Sequence, residues 1–149
     1  MTAARVQGAR EILSRSADET EAFGFELGRR LRPGEVILLY GELGSGKTVL
    51  CKGIASGFCG IEPSAVTSPT YVLIHRYGRE RVLFHVDLYR LEKPEEVAAL
   101  ALDELLAQGP MVIEWGEKAE ALNLPMHYRI WLDFAGPEER TLLLEELAT

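Results

Sequence analysis

The chain has 149 residues, a net charge of −7, and 26% charged residues against 47% hydrophobic ones, a balance that predicts one globular domain over residues 1–149. A net negative chain has no long-range attraction for a phosphate backbone, which argues against direct, tight binding of nucleic acid. The N-terminus lacks an export signal, and the longest apolar run, residues 97–102, is too short to span a bilayer. We therefore expect a cytoplasmic protein that makes no membrane contact.

The N-terminal segment predicts a strand followed by a helix. Residues 11–16 are compatible with a short strand. Asp18 and Glu21 have the spacing of an N-cap and its reciprocal acid, so a helix is expected to begin there. This helix is expected to run to about Leu31, because Pro33 and Gly34 follow it.

Residues 36–39 are apolar at every position. A strand that is apolar on both faces is covered on both sides, which indicates the middle of a parallel sheet. Leu50 and Ile54 then recur at helical spacing, and Gly57 and Gly60 are expected to close this second helix.

The two cysteines, Cys51 and Cys59, fall on the same predicted helix. Their eight-residue spacing separates their backbones by roughly 12 Å. A disulfide requires Cα atoms within about 7 Å. We therefore expect two free thiols, as in a reducing cytosol.

The second half of the chain predicts a β-hairpin, another helix and three further strands. Residues 71–77 and 82–87 are expected to pair with Val72 opposite Asp87. Proline at a first-turn position predicts a helix over residues 94–106. The further strands are expected at residues 111–114, 128–134 and 141–147. These elements indicate an α/β fold whose mixed sheet has a parallel centre and antiparallel strands.

A glycine-rich segment between the first apolar strand and its following helix matches the complete pattern G-x-x-x-x-G-K-[ST]. Its glycines allow main-chain N–H groups to surround phosphate oxygens, and the helix N-terminus adds partial positive charge. Lys47 supplies a full charge at the β- and γ-phosphates, and Thr48 offers a hydroxyl to Mg²⁺. The sequence therefore predicts a P-loop NTPase with a three-layer sandwich. The residues assigned to the nucleotide here are Gly41, Glu42, Leu43, Gly44, Ser45, Gly46, Lys47, Thr48 and Val49.

Two carboxylates end apolar strands and are the candidates for holding Mg²⁺ or its waters. Asp87 ends residues 82–87, and Glu114 ends residues 111–114. P-loop NTPases place such an acid at the end of a strand beside the phosphate loop, so both side chains are expected at one site. Either acid could contact the metal directly, with the other acting through water.

A hydroxyl-rich segment, residues 67–70, precedes the hairpin on the side where Asp87 emerges. It could reach the γ-phosphate like a GTPase switch segment, and a turn without a role is the alternative. His75 and His85 are interpreted as structural residues, although His85 shares a face with Asp87 and could orient that acid. No Asn-Lys-x-Asp segment occurs in the chain, which argues against a GTPase.

With these segments in place, the chain resembles the TsaE family, the bacterial ATPases of tRNA threonylcarbamoyladenosine biosynthesis. The resemblance covers nearly the whole chain, and four segments carry it, at residues 41–48, 68–71, 85–91 and 113–115. The first segment is shared by many NTPases. The other three, at this spacing in so short a chain, are much more specific.

The resemblance implies an ATPase that uses ATP and Mg²⁺ and works with two partners, TsaB and TsaD. TsaD would transfer the threonylcarbamoyl group to tRNA, so this chain would meet tRNA only indirectly, and ATP hydrolysis would reset the assembly between cycles. By the same matching, Lys47 would bind the phosphates, and Thr48 with Glu114 would hold Mg²⁺. Asp87 would orient or activate water in hydrolysis.

The resemblance also implies that Trp115 lies beside the nucleotide and that Thr70 belongs to a switch loop. Family members often carry Gly-Arg before the last strand. Here Gly136 is followed by Pro137, and the candidate arginine for a nucleotide contact is Arg140. Residues 16–18 are a candidate for the adenine pocket. We expect slow hydrolysis until a partner docks, because an added arginine is worth about 10³- to 10⁵-fold in related systems.

A small-molecule kinase and a non-catalytic nucleotide-dependent switch are the alternative functions. Small kinases share the size and the phosphate loop, and they usually carry a mobile lid with arginines. Residues 88–110 are too acidic and apolar to resemble such a lid.

Overall fold

The computed structural model describes residues 5–67, 73–122 and 124–148. Its strands are β1 (Arg5–Ser14), β2 (Val36–Tyr40), β3 (Ile74–Tyr77), β4 (Leu83–Asp87), β5 (Met111–Glu114), β6 (Tyr128–Phe134) and β7 (Arg140–Ala148). Its α-helices are α1 (Ala17–Arg30), α2 (Lys47–Cys59), α3 (Pro94–Ala98) and α4 (Leu102–Leu105). Two short 3₁₀ turns lie at Pro63–Ala65 and Gly116–Lys118.

The seven strands form one sheet in the order β1-β7-β6-β2-β5-β4-β3. The central strands β6, β2, β5 and β4 are parallel, and β3, β7 and β1 add antiparallel pairs at the two sides. Every residue of β2, β4 and β5 is buried. The strand pairing confirms the predicted mixed sheet with a parallel centre. The burial agrees with it, because only strands covered on both faces bury all their residues.

Alternate residues of the central strands supply two separate apolar cores. Leu39 and Val112 pack with α1 and α2 on one face of the sheet. Leu38 and Ile113 pack on the other face with the segment that contains α3 and α4. The sheet therefore lies between two covering layers, as the predicted three-layer sandwich requires. Within the described residues, none of the helices has the length and apolar character needed to cross a membrane.

The start of α1 differs from the prediction by two residues. Ser16, and not Asp18, is the N-cap: its side chain accepts a hydrogen bond from the amide of Glu19 at 3.2 Å. The Glu19 carboxylate accepts in turn from the amide of Arg15 at 2.8 Å. A serine hydroxyl with an acid three residues later satisfies two free amides, which Asp18 and Glu21 do not do here. β1 is also longer at its start than predicted, because it pairs along the whole of β7.

The backbones of α1 and α2 are in close contact at four glycines, Gly24, Gly28, Gly53 and Gly57. A Cβ on Gly28 would lie 2.2 Å from the carbonyl oxygen of Ile54, and one on Gly53 would lie 2.0 Å from that of Glu21. Gly57 makes the same kind of approach, to the carbonyl oxygen of Phe25 in α1. It lies inside α2, which continues to Cys59, so it does not close the helix as predicted. Gly60 is the C-cap, with a φ of 74°. This contact sets the position of α2 against α1.

The hairpin of β3 and β4 is confirmed with its register shifted by one residue. Ile74 lies opposite Val86, and the amide of Asp87 donates to the carbonyl of Leu73 at 2.9 Å. Leu73 therefore faces Asp87, and the predicted partner Val72 lies outside the described residues. The predicted helix over residues 94–106 is two short helices, because Ala101 between them adopts a φ of 52°, outside the right-handed helical region.

Candidate functional site

The phosphate-loop segment connects β2 to α2, as predicted. Gly44 and Gly46 have φ values of 79° and 107°, a region that glycine enters without a steric penalty. Gly41 has a φ of 155°, and a Cβ there would lie 2.5 Å from Oγ of Ser45 and 2.8 Å from the carbonyl oxygen of Leu132. The loop therefore needs glycine at these positions, for its backbone conformation and for its close contact with β6.

Lys47 is the first residue of α2, and its side chain is 5% exposed. Its Nζ donates to the carbonyl oxygens of Gly41 and, at 3.1 Å, of Glu42. The same Nζ lies 4.1 Å from the ring centroid of Trp115. Desolvation lowers the pKa of Lys47, and the nearby Glu114 carboxylate opposes that shift. The ammonium group is thus held inside the loop by neutral oxygens and an aromatic face.

Asp87 and Glu114 lie directly opposite each other, as the last residues of β4 and β5. Both residues are 3% exposed. The amide of Tyr89 donates to Oδ1 of Asp87 at 2.9 Å, which fixes that carboxylate in the turn after β4. The sequence prediction that the two acids meet at one edge of the sheet is confirmed in its geometry. Parallel strands place their carboxyl ends together, and the pairing of β4 with β5 makes these two residues neighbours.

His85 contacts Glu114, which corrects the expectation that it could orient Asp87. The Nε2 of His85 lies 2.5 Å from Oε2 of Glu114, and both side chains are buried. His85 and Asp87 do share a face of β4, as predicted. The adjacent strand β5 brings Glu114 within reach of His85, so the pairing of strands decided which acid the histidine meets.

Trp115 follows Glu114 with a φ of 63° and begins the turn Gly116–Lys118. Its ring lies 5.1 Å from that of Tyr89. Lys118 donates to the carbonyl oxygens of Tyr89 and Leu91, at 2.7 Å each. These contacts hold the turns after β4 and β5 against each other. The paired rings of Tyr89 and Trp115 therefore lie beside Lys47. The role of Lys118 was missed, because no sequence motif signals a lysine that binds main-chain carbonyls.

These groups line a cavity of about 240 Å³ at the N-terminus of α2. The residues that line it are Leu43, Gly44, Gly46, Lys47, Thr48, Val49, Asp87, Tyr89, Glu114 and Trp115. The Lys47 ammonium, the Thr48 hydroxyl and two carboxylates therefore line one small space beside a helix N-terminus. Such a set can bind a phosphate chain and offers hard oxygen ligands for a magnesium ion.

Arg140 lies on the other side of the loop and binds its backbone. Its guanidinium donates to the carbonyl oxygens of Ser45 at 3.1 Å and Gly44 at 3.4 Å, and it lies 4.5 Å from the ring centroid of Phe134. A second cavity of about 410 Å³ lies beside it and shares Gly44, Gly46 and Val49 with the first. Its other lining residues are Ser16, Ala17, Asp18, Thr20, Pro137, Glu138 and Arg140.

The predicted switch segment, residues 68–70 with Thr70, lies outside the described residues. Thr67 immediately before it is described: its carbonyl accepts from the hydroxyl of Tyr77 at 3.2 Å. Both cysteines are free, as predicted. Burial raises the pKa of Cys51 well above its ordinary value, so this thiol stays protonated on the inner face of α2.

Comparison with known proteins identifies the family. The family model for the threonylcarbamoyl adenosine biosynthesis protein TsaE matches residues 14–142. The tRNA threonylcarbamoyladenosine biosynthesis protein TsaE of Treponema pallidum is 41% identical over 114 residues, which are 76% of this chain and 82% of that relative. The protein of the same name from Rickettsia conorii is 39% identical over 111 residues, which are 74% of this chain and 63% of the relative.

The fold has a close match among solved structures. The crystal structure of Bacillus subtilis YdiB superposes with a TM-score of 0.74 at 26% sequence identity, and the match covers 99% of this chain and 90% of that one. The family match spans both strands that carry the acids and the whole phosphate loop. The chain therefore belongs to the TsaE family of threonylcarbamoyl adenosine biosynthesis proteins.

Proposed function

We propose that this protein is a Mg²⁺-dependent ATPase that acts in the cytoplasm on a TsaB–TsaD-type complex, in the threonylcarbamoyladenosine modification of tRNA. The observation that carries the proposal is the convergence of Lys47, Asp87 and Glu114 on one cavity at the mouth of α2. Membership of the TsaE family supports the link to tRNA modification.

The residues present fit a triphosphate. Lys47 donates hydrogen bonds to neutral loop carbonyls, and a phosphate oxygen would offer the same ammonium a full negative charge. Gly44 and Gly46 line the phosphate cavity and add no side chain to it. Lys47 and the loop amides would hold the β- and γ-phosphates. Val49 and Arg140, which line the second cavity, are the described candidates for the nucleoside end, together with Ser16 and Asp18.

The residues also fit a magnesium ion. Thr48 and Glu114 would hold it, and Asp87 would hold or orient the attacking water. When bound, the ion neutralises charge that develops on the β- and γ-phosphates. The side chains of Asp87 and Glu114 point into a largely buried site, where their charges act at a lower effective dielectric than at the surface.

Hydrolysis is expected to be slow in the isolated chain. No arginine is among the described residues that line the phosphate cavity, and Arg140 is engaged with loop carbonyls on the other side. Arginine that stabilises the transferring phosphoryl group is worth about 10³- to 10⁵-fold in rate in related systems. We propose that docking onto the TsaB–TsaD-type complex completes the site.

The kinase alternative is less well supported. The segment where a lid would lie is packed onto the sheet, because Leu88, Leu91, Val97 and Leu102 are buried in the second core. Moving this segment as a lid would expose those buried side chains to water, which costs free energy.

The test compares ATP turnover by the isolated protein with turnover in the presence of the TsaB and TsaD homologues, together with modification of tRNA. We expect phosphate release to water, an increase of at least about 10²-fold on assembly, and loss of nucleotide binding in Lys47→Ala. Equal turnover with and without partners would contradict the docking proposal. Transfer of phosphate to a metabolite would favour the kinase, and binding without any turnover would favour the non-catalytic switch.

A further inference from the structure

The buried contact between His85 and Glu114 has a direction that follows from its chemistry. A carboxylate only accepts hydrogen bonds, so Nε2 of His85 carries the proton in the 2.5 Å contact with Oε2. The other ring nitrogen, Nδ1, is buried and has no hydrogen-bond partner among the described residues. The hydrogen bond therefore runs from the imidazole to the carboxylate.

This contact leaves the two oxygens of Glu114 in different environments. Oε2 accepts from His85, and none of the described residues donates to Oε1. Glu114 is also a lining residue of the phosphate cavity. With Oε2 held by a buried donor, the rotation of the carboxylate is restricted, and Oε1 is left for a ligand in the cavity that Glu114 lines. A carboxylate without that donor could rotate or bind an ion through both oxygens.

The surroundings of the pair keep it fixed. Cys51 lies against it, with its sulfur, a His85 ring nitrogen and a Glu114 oxygen all within 4.8 Å of one another. The Cys51 thiol is fully buried and protonated, so it adds no charge beside the carboxylate. Asp87, two residues after His85 on the same face of β4, lies opposite Glu114. His85 thus stabilises the Glu114 carboxylate in a position beside a second negative charge.

From this geometry we infer that His85 is a positioning residue for the metal-binding carboxylate: its Nε2–H fixes Oε2 of Glu114 so that Oε1 is preorganised for Mg²⁺. The inference rests on the proposed function, because it needs a metal ion at Glu114. Metal-ligating groups are ordinarily oriented by such hydrogen bonds, and loss of one costs about 10- to 100-fold in metal affinity or activity.

Three substitutions of His85 separate the hydrogen bond from packing. His85→Leu removes the donor and fills much of the space. His85→Gln keeps an amide Nε2 at the same number of bonds from the backbone as the histidine Nε2. His85→Asn keeps an amide that is one bond too short to reach Glu114, and it serves in place of the leucine variant if that variant does not fold. Cys51→Ala is the control, because it opens space beside the pair without removing a donor to Glu114.

The measurement is binding, not turnover. Mn²⁺ is titrated into each protein saturated with ATP and followed by its electron paramagnetic resonance signal, and ATP affinity is measured separately in a chelator. We expect His85→Leu and His85→Asn to weaken Mn²⁺ binding by about 10- to 100-fold, with chelator-condition ATP affinity unchanged within about twofold. His85→Gln is expected to recover Mn²⁺ binding to within about threefold of the unsubstituted protein, and Cys51→Ala to bind Mn²⁺ normally.

The inference is overturned if His85→Leu and His85→Asn bind Mn²⁺ normally, if His85→Gln is as weak as His85→Leu, or if the loss appears equally in the chelator. A loss of the same size in Cys51→Ala would assign the effect to packing and overturn it as well. The unsubstituted protein separates the two levels of the argument. If the unsubstituted protein binds no ATP, or if it binds ATP but the ATP-bound protein takes up no Mn²⁺, the proposed function fails and the role of His85 fails with it. If the unsubstituted protein binds both ATP and Mn²⁺, and the His85 variants bind Mn²⁺ with the same affinity, only the role of His85 is overturned.

Discussion

The ammonium group of Lys47 lies 4.1 Å from the ring centroid of Trp115, and it is hydrogen-bonded to two carbonyls of its own loop. A phosphate chain in the loop would attract this ammonium away from its present partners, since charge-assisted hydrogen bonds to anions are stronger than those to neutral carbonyls. Trp115 is therefore the residue whose surroundings are expected to change most directly when the loop is filled.

The first prediction is that ATP binding changes the fluorescence of Trp115. The change arises because Lys47 alters its cation–π contact with the ring. It is measured by titrating ATP into the protein and recording emission. Trp131, the other tryptophan, stacks on Tyr40 at 4.7 Å and provides the control. Trp131→Phe should keep the signal and Trp115→Phe should lose it, so a full response in Trp115→Phe would contradict the assignment.

The second prediction concerns Asp87. We expect Asp87→Asn to lower ATP turnover by at least about 10²-fold, because the amide cannot accept a proton from the attacking water. ATP affinity should change by no more than about threefold, because Lys47 and the loop amides still hold the phosphates. Turnover and affinity are measured on the same preparation with its partners present. Unchanged turnover would mean that Asp87 takes no part in hydrolysis.

The third prediction concerns the contact between α1 and α2. Gly53→Ala and Gly28→Ala should each lower the free energy of unfolding by about 1–3 kcal/mol, because the new methyl group meets backbone atoms that cannot move aside. The measurement is the urea unfolding midpoint. Gly8→Ala is the matched control, since a Cβ at Gly8 would meet nothing within 4 Å. Equal midpoints for the interface and control variants would show that the helices separate without cost.

The fourth prediction concerns Arg140. Arg140→Ala should weaken ATP binding roughly tenfold, because the loop loses the donor that holds the carbonyls of Ser45 and Gly44. Arg140→Lys should recover little, because a single ammonium cannot reproduce the forked contacts of a guanidinium. The measurement is calorimetric titration with ATP. Arg79→Ala, at the exposed turn of the hairpin, should bind ATP normally. A similar loss of ATP affinity in that variant would mean that the effect comes from the net charge of the protein and not from the contacts of Arg140.

The fifth prediction is that stability falls as the pH rises above about 9. Burial raises the pKa of Cys59 from 9.0 to about 11, and it raises the pKa of Cys51 in the same direction. Between those values the folded protein keeps protons that the unfolded chain releases, so alkaline pH favours unfolding. The contribution is fully present below the unfolded pKa and is lost as the pH rises through the folded pKa.

This pH dependence is measured as the urea midpoint at a series of alkaline pH values. Cys59→Ser should show a shallower decline, because serine does not ionise in this range and the hydroxyl occupies nearly the same space. A midpoint that rises with pH, or a decline that is unaffected by the substitution, would contradict the assignment to the thiol.

Local sequence patterns were enough for the elements whose signals lie within a few residues. The run of apolar residues in β2, the glycines of the phosphate loop and Lys47 at the start of α2 specify their own conformation. The acids Asp87 and Glu114 could be found because each ends an apolar strand, and the ends of parallel strands share one edge of a sheet. The family could also be identified from the sequence, because the four segments that carry the resemblance are short and local.

Features that depend on distant parts of the chain required the folded structure. The break at Ala101 and the register of the hairpin were predicted wrongly, because no local pattern specifies them. The N-cap of α1 was also predicted wrongly, although it is a local feature: Ser16 and Glu19 form the capping pair, and Asp18 and Glu21 do not. The glycines of α1 and α2 carry no visible signal until the two helices are placed in contact.

The sequence by itself therefore determined the chemistry that this protein carries: a phosphate loop, a lysine, a hydroxyl and two strand-end carboxylates. Only the tertiary structure decided which groups touch. It brought His85 to Glu114, and it turned Arg140 onto the back of the phosphate loop. The physical reason is that strand pairing and helix packing, not sequence proximity, determine which side chains share a few ångströms of buried space.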